Sequence, residues 1–186
     1  MLYLSKGFIL RPCSEQRLSV SRCGVDFVLT GTEAGLWLDG RFQFADSSSE
    51  QKFALEHLIK MGLVECAEEN HSIDKYRILC RCILYPAVPK KVSIPLLPTE
   101  NEVLVWLRKA GLRLTMAELV CLREKGIKPI DDLLYSFNRQ KLTNVIYTPD
   151  TIAEGNLELQ MEHASARYKT VKSVETLLRK KRIMVI

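Results

Sequence analysis

The stretch "HLIKMGLVEC" (57–66) compresses a helix end, a glycine stop and the start of a strand into ten residues. Phe53, Leu55, Leu58 and Ile59 recur at helical spacing up to Gly62 and outline an expected buried stripe, and the run Leu63-Val64-Glu65-Cys66 that follows has the length and apolar content of a short strand. Upstream, Ser47 and Glu50 stand at capping-box spacing, which predicts a helix from about 48 to 61. Downstream, after the polar "AEENHSIDK", the residues Tyr76, Ile78, Cys80, Cys82 and Leu84 alternate, which predicts the return strand of a hairpin. A helix entering a hairpin without a linker is the junction between recognition helix and wing in a winged helix-turn-helix domain.

The residues before this junction fit that plan. "GFILRPCSEQRLSVSRCGVDFVLT" (7–30) carries short apolar runs broken by Pro12, Ser14, Glu15 and Gly24, the pattern of two or three short strands. Thr30 and Glu33 then form a further capping-box pair ahead of a first helix that Gly40 ends.

Beyond Leu84, "YPAVPKKVSIPLLPTE" (85–100) holds four of the seven prolines and cannot be a helix interior. It divides the chain into an N-terminal domain (1–85), a proline-rich linker (86–98) and a C-terminal domain (99–186). The second part repeats the plan. Thr99 with Glu102 and Thr115 with Glu118 open helices that end at glycine, "PIDDLLYSFNRQ" (129–140) reads as a third helix, and another starts near Thr148-Pro149 with a break at Gly155. "YKTVKSVETLLRKKRIMVI" is again a helix running into an apolar strand. Aligned with the opening stretch, Leu55, Glu56, Leu58 and Ile59 correspond to Val174, Glu175, Leu177 and Leu178, and with one extra residue Leu63-Val64 correspond to Ile183-Met184. "TEAGLWL" (32–38) likewise matches "TMAELVC" (115–121). The expected class is α+β: two winged-helix domains, each a small helical bundle with a short hairpin or sheet.

Two resemblances sharpen this. Residues 26–66 resemble winged-helix regulators of the MarR and PadR kind, in which a helix ending in L-x-x-x-G-L-V precedes a charged hairpin; Leu58, Gly62, Leu63 and Val64 carry the match. Residues 4–41 resemble the PqqD family of peptide-binding winged-helix modules, through Leu29, Ala34, Leu36, Trp37, Leu38, Asp39 and Gly40. The first resemblance implies an architecture and no particular ligand; the second implies an extended peptide as partner.

Composition favours neither disorder nor a membrane. The chain is 47% hydrophobic and 26% charged, and no window reaches the roughly 18 apolar residues of a membrane span, so a cytoplasmic protein with reduced cysteines is expected. Charge is uneven: residues 1–89 hold 10 Lys/Arg against 11 Asp/Glu, residues 90–186 hold 17 against 11. A polyanion would meet the second half. The leading expectation is a non-enzymatic transcriptional regulator. Its C-terminal domain would place Arg167, Lys169, Lys172, Arg179, Lys180, Lys181 and Arg182 on phosphates and Thr170 and Ser173 near base edges of double-stranded DNA, with Lys75, Arg77 and Arg81 on the first wing. The rival expectation is a peptide- or protein-binding scaffold that adds a strand to the sheet of residues 7–29. A homodimer is compatible with either.

No catalytic motif is present, and His57, His71 and His163 are scattered. Cys66, His71, Cys80 and Cys82 could meet as a zinc site only if the hairpin aligned them, and Cys80 and Cys82 read more simply as core thiols, so neither metal nor cofactor is expected. Trp37 and Trp106 lie in apolar stripes and are expected in cores.

Overall fold

The structure, a computed structural model, describes residues 1–10, 17–87, 95–109, 114–129, 139–153 and 156–186. It is a mixed fold of helices and small sheets, in keeping with the α+β expectation. Two compact units divide the chain: Met1–Tyr85 together with Met184–Ile186, and Pro86–Ile183. Most of the expected linker and of the 129–140 helix, and Gly155, fall outside the described residues.

Unit 1 opens with β1 (Leu2–Ser5), β2 (Phe8–Ile9), β3 (Leu18–Arg22) and β4 (Val25–Leu29). Then follow α1 (Gly31–Asp39), β5 (Ala45–Asp46), a 3-10 turn, α2 (Lys52–Lys60), β6 (Val64–Ala67), α3 (Ser72–Cys80) and β7 (Leu84–Pro86). The expected strands within 7–30 are there as β2, β3 and β4, paired antiparallel in that order. β1 lies between β5 and β6 in a second sheet, with Tyr3 opposite Ala45 on one side and Cys66 on the other. Both faces of β1 are covered, so all four of its residues are buried.

The core joins Tyr3, Val20, Leu29, Trp37, Leu55, Leu58 and Leu63. One polar residue organises it. Lys6 is 2% exposed. Its ammonium donates to Glu65 Oε1 at 2.5 Å, its amide donates to Leu63 O, and its carbonyl accepts from Trp37 Nε1 at 3.0 Å. Tyr3 donates its hydroxyl to Leu36 O at 3.1 Å. Burial, and after it the charges of Asp39 and Asp46, push that hydroxyl up to about 12.

One element departs from the sequence reading. Where a polar turn at 67–75 and a return strand at 76–85 are expected, helix α3 takes Ser72–Cys80 and only Leu84–Pro86 are strand. His71 and Asp74 close a cap at its start, with His71 N donating to Asp74 Oδ2 at 3.1 Å. Tyr76, Ile78, Leu79 and Cys82 are buried, and the 76–79–82 spacing is helical; a period-two pattern over five residues satisfied both readings. Phe53, expected on the buried stripe of α2, is 85% exposed, and the caps also shift. Ser48, not Ser47, pairs with Gln51 ahead of α2, and Glu33 turns from the α1 cap to bond His57 Nδ1 at 2.6 Å.

Unit 2 holds α4 (Pro98–Lys109), α5 (Met116–Glu124), α6 (Arg139–Ile146), α7 (Pro149–Ala153), α8 (Leu157–Glu162) and α9 (Arg167–Arg179). Of the following strand β8 (Ile183–Val185) only Ile183 belongs to it, and Met184–Ile186, expected in the C-terminal domain, belong to unit 1. The Thr115–Glu118 box forms, with Thr115 N to Glu118 Oε2 at 2.7 Å and Glu118 N to Thr115 Oγ1 at 3.2 Å. At α4 the bond runs from Leu97 N to Glu100, so the expected Thr99–Glu102 box is displaced. α9 packs on α4 and α5, and Trp106 is fully buried.

Both helix-to-strand junctions are the same turn. Gly62 N donates to Ile59 O and Leu63 N to Leu58 O; Lys181 N donates to Leu178 O and Arg182 N to Leu177 O. The register from Leu58/Leu177 through Leu63/Arg182 is therefore continuous, and the extra residue of the sequence alignment is not needed. No described helix is long and apolar enough to cross a membrane.

Candidate functional site

α9 carries most of the residues expected at DNA. Its start is anchored by Glu124 of α5, whose carboxylate accepts from Ala166 N at 2.7 Å and from Ser165 Oγ at 3.0 Å. The Ala166 amide foremost holds that carboxyl below its usual range. The buried stripe of α9 is Thr170, Val171, Ser173, Val174, Leu177 and Leu178. Thr170 is 0% and Ser173 5% exposed, so neither can read a base edge. Each hydroxyl instead donates one turn back, to Ala166 O at 2.8 Å and Lys169 O at 2.9 Å, and accepts from Arg123 Nη1.

The basic residues divide similarly. Lys169, Lys172 and Arg179 are exposed, with Tyr168 beside them, and Arg179 lies 3.6 Å from Glu175 Oε1. Arg167 is half-buried and donates to Glu162 O. Lys180 donates to Glu100 Oε2 at 2.7 Å and to Pro95 O at 3.0 Å, and Arg182 is 7% exposed. Lys181 is exposed. Pairing withdraws Lys180 from the expected phosphate set, and burial withdraws Arg182.

In unit 1, Lys75, Arg77 and Arg81 stand on and just after α3 instead of on a wing. The Lys75 ammonium lies 5.5 Å from the centre of the Phe44 ring, and Arg81 lies 3.8 Å from Glu65 Oε2. Cys66, His71, Cys80 and Cys82 do not gather. Among the described residues the group that could hold a metal is Glu69, His71 and Asp74, where His71 and Asp74 already serve the α3 cap. Cys82 Sγ donates to Ile78 O, and burial pushes this thiol up to about 12, the state of a core thiol.

A second surface lies on β4. The β3–β4 hairpin turns at Cys23-Gly24, with φ of 51° and 81°, as a two-residue turn with both central residues left-handed. Arg22 and Val25 flank that turn and exchange hydrogen bonds, so Val25, Phe27 and Leu29 direct their amides and carbonyls at β3. The alternation sends those of Asp26 and Val28 outward. The neighbouring strand agrees: Ser19, opposite Val28, accepts from Leu10 N at 2.9 Å on its other side. β4 ends its sheet, and among the described residues no backbone group bonds Asp26 or Val28. Val25 is 54% and Val28 52% exposed. The sequence placed a strand here; the free edge depends on sheet order and parity, which no local pattern carries.

Comparison with protein-family models, with curated proteins and with solved structures gives no match.

Proposed function

We propose that unit 1 is a binding module for an extended peptide segment, taken up as an added strand along β4. The observation that supports this most is the set of four outward backbone groups on Asp26 and Val28, in register for two pairs of ladder bonds. Their side chains share one face, so the ligand residue opposite Val28 should be apolar and the one two positions away, opposite Asp26, Lys or Arg. The PqqD-like residues Leu36 and Trp37 sit in the core below the sheet, where they hold α1 against it. On this reading α1, α2 and β6 form a winged-helix-like half, and α5 and α9 the helices of a second one with the same junction turn.

The test is selection of peptides from a random extended library on the intact protein. Enriched peptides should carry the apolar-x-basic pattern, bind Val28→Pro at least about tenfold more weakly, and switch to acidic residues on Asp26→Lys. Proline is tolerated on an edge strand where the amide faces outward, so the variant should fold. Selected peptides that bind Val28→Pro as well as the parent would remove β4 as the site.

A second reading has its own observation: Lys169, Lys172 and Arg179 share the exposed side of α9. With Thr170 and Ser173 buried, this face suits phosphate contact without base readout, a sequence-independent binder of double-stranded DNA. Anisotropy titrations with a random duplex across salt should show binding, and Lys169→Ala and Lys172→Ala should each lower the salt slope by roughly one. No binding at low salt would discard this reading.

A further inference from the structure

Met184–Ile186 belong to unit 1, whose next residue in the amino-terminal direction is Tyr85. Within unit 1 this segment is held on both sides. Val185 O accepts from Gly7 N at 2.9 Å, while Ile186 exchanges two bonds with Ile83, of 3.0 and 3.1 Å. Val185 is 2% exposed. The place it fills is a slot for an extended apolar segment. Gly7 presents its amide to that slot at φ 114°, and a Cβ there would lie 2.8 Å from Ser21 O, so the donor depends on glycine.

The connection that delivers the segment is strained. At the first junction the residue after the helix in the left-handed region is Gly62, φ 71°; at the second it is Lys181, φ 54°. A side chain in that region is unfavourable by roughly 1–2 kcal/mol, which straightening the connection would release. Short hinges under strain favour exchange of the element they carry between copies.

We propose that Met184–Ile186 is an exchangeable strand, and that the slot between Gly7 and Ile83 accepts the same segment from a second copy. Each Val185 then fills the other copy's slot, every bond named above is re-formed between chains, and the assembly closes as a reciprocal dimer. The slot contacts are the same in both forms. The balance is set by the junction bonds of Lys181 N to Leu178 O and Arg182 N to Leu177 O, which straightening gives up, against the relief of the Lys181 backbone, and by the loss of freedom on association. High protein concentration during refolding favours exchange, and a residue that forbids φ 54° favours it further.

The test mixes an isotopically light Ile83→Cys chain with a heavy Ile186→Cys chain, unfolds and refolds them together at high concentration, and oxidises. A reciprocally bonded antiparallel pair has Cα atoms about 5.5 Å apart, within disulfide range. Mass mapping should find a 83–186 cross-link joining light to heavy chains. The Ile83→Cys/Ile186→Cys double variant at low concentration should form the same link within one chain. That control forming while the light–heavy link is absent would overturn the proposal. By light scattering, Lys181→Pro should elute at twice the monomer mass and Lys181→Gly at the monomer mass; Lys181→Pro as a folded monomer would equally count against exchange.

Discussion

Glu65→Leu should lower the stability of the protein by about 3–5 kcal/mol, read as a shift of the urea midpoint followed by Trp37 fluorescence. The substitution leaves the Lys6 ammonium, 2% exposed, without the carboxylate 2.5 Å away. Solvent has little access to replace that partner, because the Lys6 side chain is 2% exposed. The paired change Lys6→Met/Glu65→Leu removes both charges and fills the space with apolar atoms. It should recover most of the loss, since a buried ion pair is often no more stable than a packed apolar pair. A Glu65→Leu protein within about 0.5 kcal/mol of the parent would mean that the ammonium finds water or another acceptor.

Trp37→Ala should cost about 3–5 kcal/mol as well, by a different route. The indole is 0% exposed and touches the core formed by β3, β4, α1 and α2, so truncation leaves a cavity that these elements must collapse into. It also orphans the Lys6 carbonyl, which accepts from Nε1. Trp37→Phe separates the two effects: it keeps much of the volume and loses the hydrogen bond, so about 1–2 kcal/mol is expected. Chemical denaturation of the three proteins, with circular dichroism as the probe, checks the order. Equal losses for Ala and Phe would show that packing contributes little there.

The two junctions were legible because their signals are local. Apolar residues at helical spacing and a short apolar run fix the helix and the strand within a dozen positions; Gly62 also marks the stop at the first junction, whereas Lys181 gives no such signal at the second. The α3 helix was not legible from alternation, since Tyr76, Ile78, Cys82 and Leu84 fit period two while Tyr76, Leu79 and Cys82 fit a helix; the discriminating feature was the His71–Asp74 cap. Thr170 and Ser173 were misread because polar residues were presumed outward. Their positions relative to Val174, Leu177 and Leu178 already place them on the buried stripe. By contrast, neither the burial of Lys6 nor the free edge of β4 has a local signature. The first needs β1 to pair with β6 on one side, and the second needs the order of three strands and the parity of a turn.

The discontinuity of unit 1 also bears on the timing of its assembly during translation. Residues up to Tyr85 leave the ribosome with the Gly7 amide and both Ile83 backbone groups still hydrated, and all of Pro86–Ile183 must be synthesised before Met184–Ile186 exist to meet them. At about 5–20 residues per second, that interval is about 5–20 s. Until then the slot is unfilled, so a chain stalled in that interval leaves the Gly7 amide and the Ile83 backbone groups without the partners they have in the finished fold.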